Sequence, residues 1–290
     1  MLDKFRIGSV DNDNTGVTVI LAPEGAVGGV SVRGASPATR ETDLLKSENT
    51  VEKINAVVLS GGSAFGLEAA CGVMDYLYEN GSGYDAGGYT VPIVVGASIY
   101  DLEKGAFDYP GKAMGYQAAK CADKDMRCGR VGAGKSATVG KILGMKHASP
   151  GGLGIAVSKV GGAEVAVISA VNALGDVVDD KGKVLAGTTL MGLNLNTERT
   201  LKMKGKADNL LGKNTTISCI ITNAKFTKTQ MNRLCDIAHD GYARAIKPVH
   251  TMYDGDAVFG MASGEAETDF FIFSVAIPDL VAEAIRKAVK

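Results

Sequence analysis

The sequence predicts an α/β fold in which helices pack against antiparallel strand pairs. Short apolar runs rich in Val and Ile alternate with longer segments of helical periodicity. Several of the short runs are followed by glycine turns, and the chain holds 38 Gly but only 7 Pro. Because short turns connect antiparallel neighbours, mixed α/β layers are favoured over an all-parallel sheet.

In the first half of the chain, the first two predicted strands form a hairpin through a glycine-rich turn at 24–29. A helix is expected after Gly61 and Gly62, where Ser63 can cap it and apolar residues recur at helical spacing through Tyr78. The strands are predicted at 17–22, 30–33, 55–60 and 90–95, and a second helix at 113–121.

In the second half, two strands form a pair through the turn Gly161-Gly162, and residues 175–213 are expected to be a mobile loop. The final helix has Pro278 near its first turn, a favourable position for proline. The strands are predicted at 154–160, 164–171, 216–223 and 270–276, and the helices at 229–246 and 278–288.

Composition limits the classes of partner. With 290 residues, 46% of them apolar, the chain can form one large domain with a substantial core. Lys and Arg number 31 against 32 Asp and Glu, so the net charge of -1 offers no electrostatic case for nucleic acid or an anionic membrane. Small molecules or peptides are the expected partners.

Cysteine usage and hydropathy indicate a soluble, cytoplasmic protein. The 5 Cys are odd in number and lack a paired C-x-x-C arrangement, which indicates a reducing compartment and no metal site. No segment reaches the roughly 18 apolar residues that a membrane span requires, and the start lacks a signal-peptide pattern. We expect no cofactor.

The peptide bond between Asn214 and Thr215 marks the sharpest change in the character of the chain. The segment before it is rich in Lys, whereas 216–223 suits a buried strand. If the Thr215 hydroxyl attacks the Asn214 carbonyl, an N-to-O acyl shift and hydrolysis leave Thr215 as a new chain terminus. Its α-amine, a group whose pKa is ordinarily about 8, then activates its own hydroxyl. The alternative is an ordinary strand start, since Asn-Thr is common there.

A phosphate-binding loop is a second interpretation. Residues 129–136 match the pattern G-x-x-x-x-G-K-S, ending in Lys135 and Ser136. The motif requires a preceding apolar strand, but residues 120–128 are rich in charge, and no later strand plainly ends in a Mg²⁺-holding Asp. A nucleotide-binding protein therefore stays an alternative function.

Other polar residues have both a catalytic and a structural interpretation. Asp254 and Asp256 face one side of an extended backbone and can support Thr215, or Asp-Gly simply forms a turn. Asn172 ends a strand as a turn residue or as an oxyanion donor. The Gly61-Gly62 turn offers N–H groups to substrate or serves close packing. The 3 His form no recognisable triad or metal set, and His239 is expected at the surface or as a cap.

Four segments taken together resemble the L-aminopeptidase/D-esterase family, which includes β-aminopeptidases and nylon-oligomer hydrolases. The likeness extends from about residue 16 to residue 276, and the order of the segments is that of the family. The segments are 55–67, 132–141, 214–216 and 250–256.

The resemblance implies an αββα four-layer sandwich and a precursor that cuts itself into 1–214 and 215–290. It also implies a homo-oligomer, often a tetramer of cleaved pairs. Carried over by position, Thr215 is the nucleophile, Asp254 and Asp256 are its carboxylate support, Asn172 and Tyr100 donate toward the oxyanion or substrate, and Lys141 is a buried active-site lysine.

The sequence departs from the aminopeptidase branch, in which Ser is the nucleophile and a Ser-x-Glu replaces Asp254-Gly-Asp256. Thr with paired Asp is similar to the nylon-hydrolase branch, so exo- and endo-acting amidases both stay open. Lys135 stands where the family more often has a small residue. A self-cleaving acetyltransferase of the ornithine-forming type and a non-enzymatic relative are the remaining alternatives.

Overall fold

The computed structural model describes residues 2–204 and 213–290. Its helices are α1 (Ala69–Glu79), α2 (Lys112–Lys120), α3 (Thr197–Lys204), α4 (Lys228–Ala245) and α5 (Phe270–Lys287). Its strands are β1 (Arg6–Asp11), β2 (Gly16–Val32), β3 (Thr39–Arg40), β4 (Lys53–Ser60), β5 (Tyr84–Asp85), β6 (Thr90–Val91), β7 (Val94–Ser98), β8 (Thr138–Val139), β9 (Ser149–Pro150), β10 (Gly152–Val160), β11 (Ala163–Asn172), β12 (Asp176–Val178), β13 (Val184–Ala186), β14 (Thr189–Leu190), β15 (Leu193–Asn194), β16 (Thr215–Ala224), β17 (Ile246–Lys247) and β18 (Ala257–Ala266).

The long strand β2 joins two layers of sheet. The strand order is β10-β11-β16-β18-β2-β4-β7-β3, with β1 also paired to β2. The first part of β2 pairs with β1, and its last part, from Val27 to Val32, pairs with β18. The register with β4 shifts between Leu21 and Ala26. The irregularity lets one strand pass from one layer into the other.

Alternating side chains define three hydrophobic interfaces and hence four layers. On β16, Ile220 faces α4 and α5, whereas Ile217 and Ile221 face the space between the sheets. On β4, Val57 faces the same inner space and Val58 faces α1 and α2. Strands with two apolar faces are typical of sheets that are covered on both sides. The architecture is the α/β sandwich that the sequence predicted.

The strand that begins at Thr215 lies in the middle of the sheet. It pairs antiparallel with β11 and parallel with β18. Thr215 is the register partner of Asn172, and an isolated bridge joins Asn214 to Asp254. The sheet therefore brings the ends of three chain segments together at one edge of the central strands.

Most predicted strands and helices are confirmed, but the predicted hairpin at 17–22 and 30–33 is wrong. Both segments belong to the single strand β2. A Cβ on Gly28 would lie 2.5 Å from a Leu45 methyl group, and one on Gly29 would lie 2.6 Å from the Met231 backbone. These glycines serve close packing against neighbouring elements instead of a turn.

The predicted strand at 270–276 is also wrong, because the single helix α5 covers it and the predicted helix after it. The Asp269 side chain accepts a hydrogen bond from the Ile272 N–H and caps the helix. Phe273 and Ile277, four residues apart, are buried, whereas Phe271 is exposed. This spacing is helical, and Pro278 lies inside the helix.

The expectation of a mobile loop at 175–213 is wrong for the described residues up to 204, and residues 205–212 lie outside the described part. Strands β12 to β15 and helix α3 occupy this region. Asp176 is buried and accepts hydrogen bonds from the Thr188 N–H, the Thr197 N–H and the Thr197 hydroxyl. One buried carboxylate thus fixes two connecting segments.

Two further boundaries differ from prediction. Gly62 has φ +80° and precedes a 3-10 turn that leads into α1, so Ser63, with φ +54°, does not cap the helix through its side chain. The predicted strand at 90–95 is divided at Pro92 into β6 and β7. Proline has no N–H group to donate to a neighbouring strand.

Candidate active site

The Thr215 hydroxyl lies against the carbonyl that precedes it. Its Oγ is 2.5 Å from the Asn214 carbonyl oxygen, to which it donates. The same oxygen accepts a hydrogen bond of 2.9 Å from the Gly255 N–H. Thr215 and Asn214 are both buried. A hydroxyl beside a carbonyl that a backbone N–H polarises is an arrangement suited to acyl transfer.

The two predicted carboxylates flank Gly255, one on either side. The Thr251 N–H and hydroxyl donate to Asp254 Oδ2 at 2.9 and 2.5 Å. Asp256 Oδ1 accepts from the Thr216 N–H at 2.7 Å. Both aspartates are buried. The pair is therefore fixed by hydrogen bonds beside the start of β16, as the spacing predicted.

Lys141 and Asn172 form the opposite side of the site. Lys141 Nζ donates to the Asn172 carbonyl oxygen at 2.9 Å and to Asn172 Oδ1 at 2.7 Å. It also donates to the Lys213 carbonyl oxygen at 3.0 Å, which Asn172 Nδ2 approaches at 3.3 Å. Three oxygen acceptors match the three N–H bonds of an ammonium group. The two side chains converge on the backbone just before Asn214.

Tyr100 enters the site through its backbone. Its carbonyl oxygen accepts a hydrogen bond of 2.8 Å from Asn172 Nδ2 and so orients the amide. Three residues later, Glu103 forms an ion pair with Lys213. The segment after Tyr100 is thus tied to Asn172 and to Lys213, and a direct contact of the Tyr100 side chain with substrate stays a prediction.

Burial shifts the pKa of two ionisable groups of the site, Lys141 and Asp254, toward neutrality. Desolvation lowers the pKa of Lys141 to about 7, against the attraction of Asp254, Glu103 and Asp101. Burial, followed by the neighbouring charge of Asp256, raises the pKa of Asp254 to about 6. Both values lie close to neutrality, where a group can either give or take a proton.

The structure favours the packing role of Gly61 and Gly62 over substrate binding. The Gly61 N–H donates to the Gly16 carbonyl, and the Gly62 N–H donates to Asp101 Oδ1 at 2.6 Å. Asp101 is buried, and desolvation raises its pKa. Since both N–H groups already have acceptors, this turn does not offer them to a substrate carbonyl. The expectation of free donors here is corrected.

Residues 129–136 do not form a phosphate-binding loop. A short 3-10 turn at Gly132–Gly134 is followed by β8, so the helix that the motif requires is absent from this described segment. The Gly132 N–H and Lys135 Nζ both bind the Asp11 carboxylate, at 2.9 and 3.0 Å. The loop therefore binds a side chain of this protein, which also explains Lys135.

Sequence reasoning missed one residue of the site and misplaced another. His250 Nδ1 lies 2.7 Å from Asp256 Oδ2, although its sequence neighbours showed no partner for it. His239, expected at the surface, is buried, and burial lowers its pKa to about 4. The sequence did contain a signal for His250, because this residue begins the segment 250–256, one of the four that carry the family resemblance.

Within residues 2–204 and 213–290, no group of three or more His, Cys, Asp or Glu side chains is placed to hold a metal ion. No helix in the same ranges is long and apolar enough to cross a bilayer.

Comparisons with known proteins identify the family. The family model of Peptidase family S58 matches residues 4–289. An uncharacterized aminopeptidase of Mycobacterium tuberculosis is 40% identical over 259 residues, covering 86% of this chain and 73% of the relative. A 6-aminohexanoate-oligomer endohydrolase of Paenarthrobacter ureafaciens is 30% identical over 260 residues, covering 87% and 70%.

Solved structures share the fold. The L-aminopeptidase D-Ala-esterase/amidase of Ochrobactrum anthropi, described as a variant of the Ntn hydrolase fold, aligns with a TM-score of 0.72 at 16% identity, covering 99% of this chain and 84% of that one. A β-aminopeptidase of Burkholderia sp. aligns with a TM-score of 0.65 at 18% identity, covering 98% and 82%. Given the family match along nearly its whole length, this chain belongs to peptidase family S58 and is a hydrolase.

Proposed function

We propose that the protein is a self-processing N-terminal threonine amidohydrolase. It cuts itself between Asn214 and Thr215 and then hydrolyses small peptides, amides, esters or linear amide oligomers through an acyl-enzyme on Thr215. The observation that carries this proposal is the 2.5 Å approach of the Thr215 hydroxyl to the Asn214 carbonyl oxygen, with the Gly255 N–H on the same oxygen. The aminopeptidase and oligomer-hydrolase names of the relatives support the substrate range.

Self-cleavage proceeds by acyl transfer within the chain. Thr215 Oγ attacks the carbonyl carbon of Asn214 while Asp254, which is bridged to Asn214 and whose pKa of about 6 suits a base, takes the hydroxyl proton. The Gly255 N–H stabilises the oxyanion. The C–N bond breaks, the amine of Thr215 receives a proton, and an ester remains. Water hydrolyses this ester, restoring the hydroxyl and leaving Asn214 with a carboxylate.

Cleavage converts the precursor site into a substrate site. In the intact chain, Lys141 Nζ and Asn172 Nδ2 both contact the Lys213 carbonyl oxygen. Once residues 213 and 214 are a free chain end, their departure releases these two donors. A substrate amide that enters in their place meets the same donors and the same nucleophile. The new α-amine of Thr215 then accepts the hydroxyl proton.

The test of this proposal is the intact mass of freshly purified protein under denaturing conditions. We expect two species whose masses sum to the full chain plus one water, with the smaller species beginning at Thr215. Terminal sequencing of the smaller species locates the cut. A single species of 30.0 kDa that persists during incubation, or a cut at another bond, would contradict the proposal.

The rate of self-cleavage is expected to fall as the pH drops through about 6. Asp254 carries the pKa of about 6 and loses its capacity to accept a proton when it is protonated. Below that pH the rate should decrease about tenfold per unit. To measure this decrease before any α-amine exists, freshly translated chain is transferred to buffers between pH 4.5 and 8. Its cleavage is then followed by gel electrophoresis. A rate that is level from pH 5 to 7 would exclude Asp254 as the base.

A further inference from the structure

Three rings pack together beside the carboxylate pair: His239 and Tyr242 are buried, and His250 is partly buried. The His250 ring is 4.7 Å from the His239 ring and 5.6 Å from the Tyr242 ring, measured between centroids. His239 Nε2 lies 3.1 Å from the Ser31 carbonyl oxygen, so it faces away from the site. His250 alone of the two imidazoles contacts Asp256 through a ring nitrogen. Packing against the other rings fixes its orientation.

His250 holds Asp256 by two hydrogen bonds from the same residue. Its ring Nδ1 lies 2.7 Å and its backbone N lies 3.2 Å from Asp256 Oδ2. His250 has φ +54°, a left-handed conformation that is uncommon for residues other than Gly, although His adopts it more often than most. With this backbone, its N–H and its ring reach the same carboxylate oxygen.

Asp256 passes this constraint on to the nucleophile. Its other oxygen, Oδ1, accepts the hydrogen bond from the Thr216 N–H, the residue after Thr215. Moving the Asp256 carboxylate would therefore move the backbone that carries the Thr215 hydroxyl. His250 acts on the reacting atoms only through Asp256, because its described hydrogen bonds reach neither Thr215 nor Asn214.

The hydrogen bonds determine which ring nitrogen carries the proton. An ionised carboxylate only accepts hydrogen bonds, so Nδ1 of His250 must be the donor to Asp256. In a neutral ring, Nε2 is then the acceptor, and this atom is buried without a hydrogen-bond partner in the described residues. One defined tautomer follows from the geometry.

We propose that His250 is a positioning residue whose ring Nδ1–H holds the Asp256 carboxylate against the Thr216 N–H, and so keeps the Thr215 hydroxyl against the Asn214 carbonyl. This inference rests on the proposed function, because it concerns the pair that serves Thr215. The other titratable groups that face the pair are Lys141, His239 and Tyr242. These groups are unchanged in the His250 variants described next.

Two substitutions separate the donor from the backbone strain. His250→Asn retains an amide N–H near the place of Nδ1 and tolerates the positive φ. His250→Gly tolerates the same φ and has no side-chain donor. His147→Ala is the control for the loss of an imidazole, since the His147 ring bonds the Thr189 carbonyl oxygen and belongs to neither the ring group nor the carboxylate pair.

The readout is the rate of self-cleavage near neutral pH, measured on freshly translated chain. In His250→Gly the rate should fall about tenfold or more, because a lost hydrogen bond to the carboxylate lets Asp256 and the Thr216 backbone shift. His250→Asn should restore most of the rate, and His147→Ala should leave it unchanged. A wild-type rate in His250→Gly, or an equal loss in His250→Asn, overturns the proposal.

A second measurement does not depend on the folding of these variants. With only 3 His in the chain, ¹⁵N-labelled histidine in the uncleaved Thr215→Ala protein gives a simple NMR spectrum. His250 should show its proton on Nδ1, and a proton on Nε2 instead overturns the proposal. The outcomes also separate the two proposals: cleavage that persists in Thr215→Ala refutes the proposed function, whereas cleavage at the wild-type rate in His250→Gly refutes only the role of His250.

Discussion

Thr215→Ala is expected to yield one uncleaved chain of 30.0 kDa that has no hydrolase activity. The Thr215 hydroxyl is the group that lies 2.5 Å from the Asn214 carbonyl oxygen, and alanine leaves no nucleophile there. Without cleavage the α-amine is never freed, so maturation and turnover are lost together. We expect turnover of amide or ester substrates to fall by about 10⁴-fold or more.

The matched control is Thr215→Ser, which retains the hydroxyl and lacks only the methyl group. It should still cleave itself, and its small chain should begin at Ser in place of Thr. Thermal unfolding of both variants shows whether each is folded, because the alanine variant loses little packing at this position. An alanine variant that matures into two chains, or one that hydrolyses substrate at the wild-type rate, would assign the nucleophile to another residue.

The start of β16 and the placement of the two carboxylates beside it could be predicted because their signals are local. The change from a Lys-rich segment to an apolar run located the start of β16 within one residue. The two-residue spacing of Asp254 and Asp256 placed them on one side of an extended backbone. The helix α4 was likewise visible from its apolar face. In each case, the deciding information lay within a few residues of sequence.

The errors arose where tertiary packing decides the structure. The glycines of β2 were interpreted as a turn. Position 29 has no room for a side chain because the Met231 backbone packs against it, and Met231 lies more than two hundred positions away in sequence. The aromatic residues at the start of α5 resemble a strand in the sequence. The Asp269 cap and the buried face of the helix show that they are helical. The hydrogen-bond partner of His250, Asp256, lies only six residues away, but the ring packing against His239 and Tyr242 was not visible because those residues belong to another element.

Gly255→Ala is expected to slow self-cleavage by about 100-fold or more while leaving the chain folded. A Cβ at this position would lie 2.9 Å from Thr215 Oγ and 2.7 Å from the Ser36 carbonyl oxygen. The backbone oxygen cannot move far, so the Thr215 hydroxyl has to rotate away from the Asn214 carbonyl. Overpacking of this kind costs about 1–3 kcal/mol of unfolding free energy, which a large domain tolerates.

Gly111→Ala provides the control for a general effect of replacing glycine. Gly111 has φ −85°, and the nearest atom to its Cβ would be Glu68 Oε1 at 3.5 Å, an ordinary contact. This variant should cleave at the wild-type rate. The uncleaved Thr215→Ala protein is the reference for thermal unfolding of Gly255→Ala. If folded Gly255→Ala cleaves as fast as the wild type, the approach of hydroxyl to carbonyl cannot be the feature that drives self-cleavage, because that variant no longer permits it.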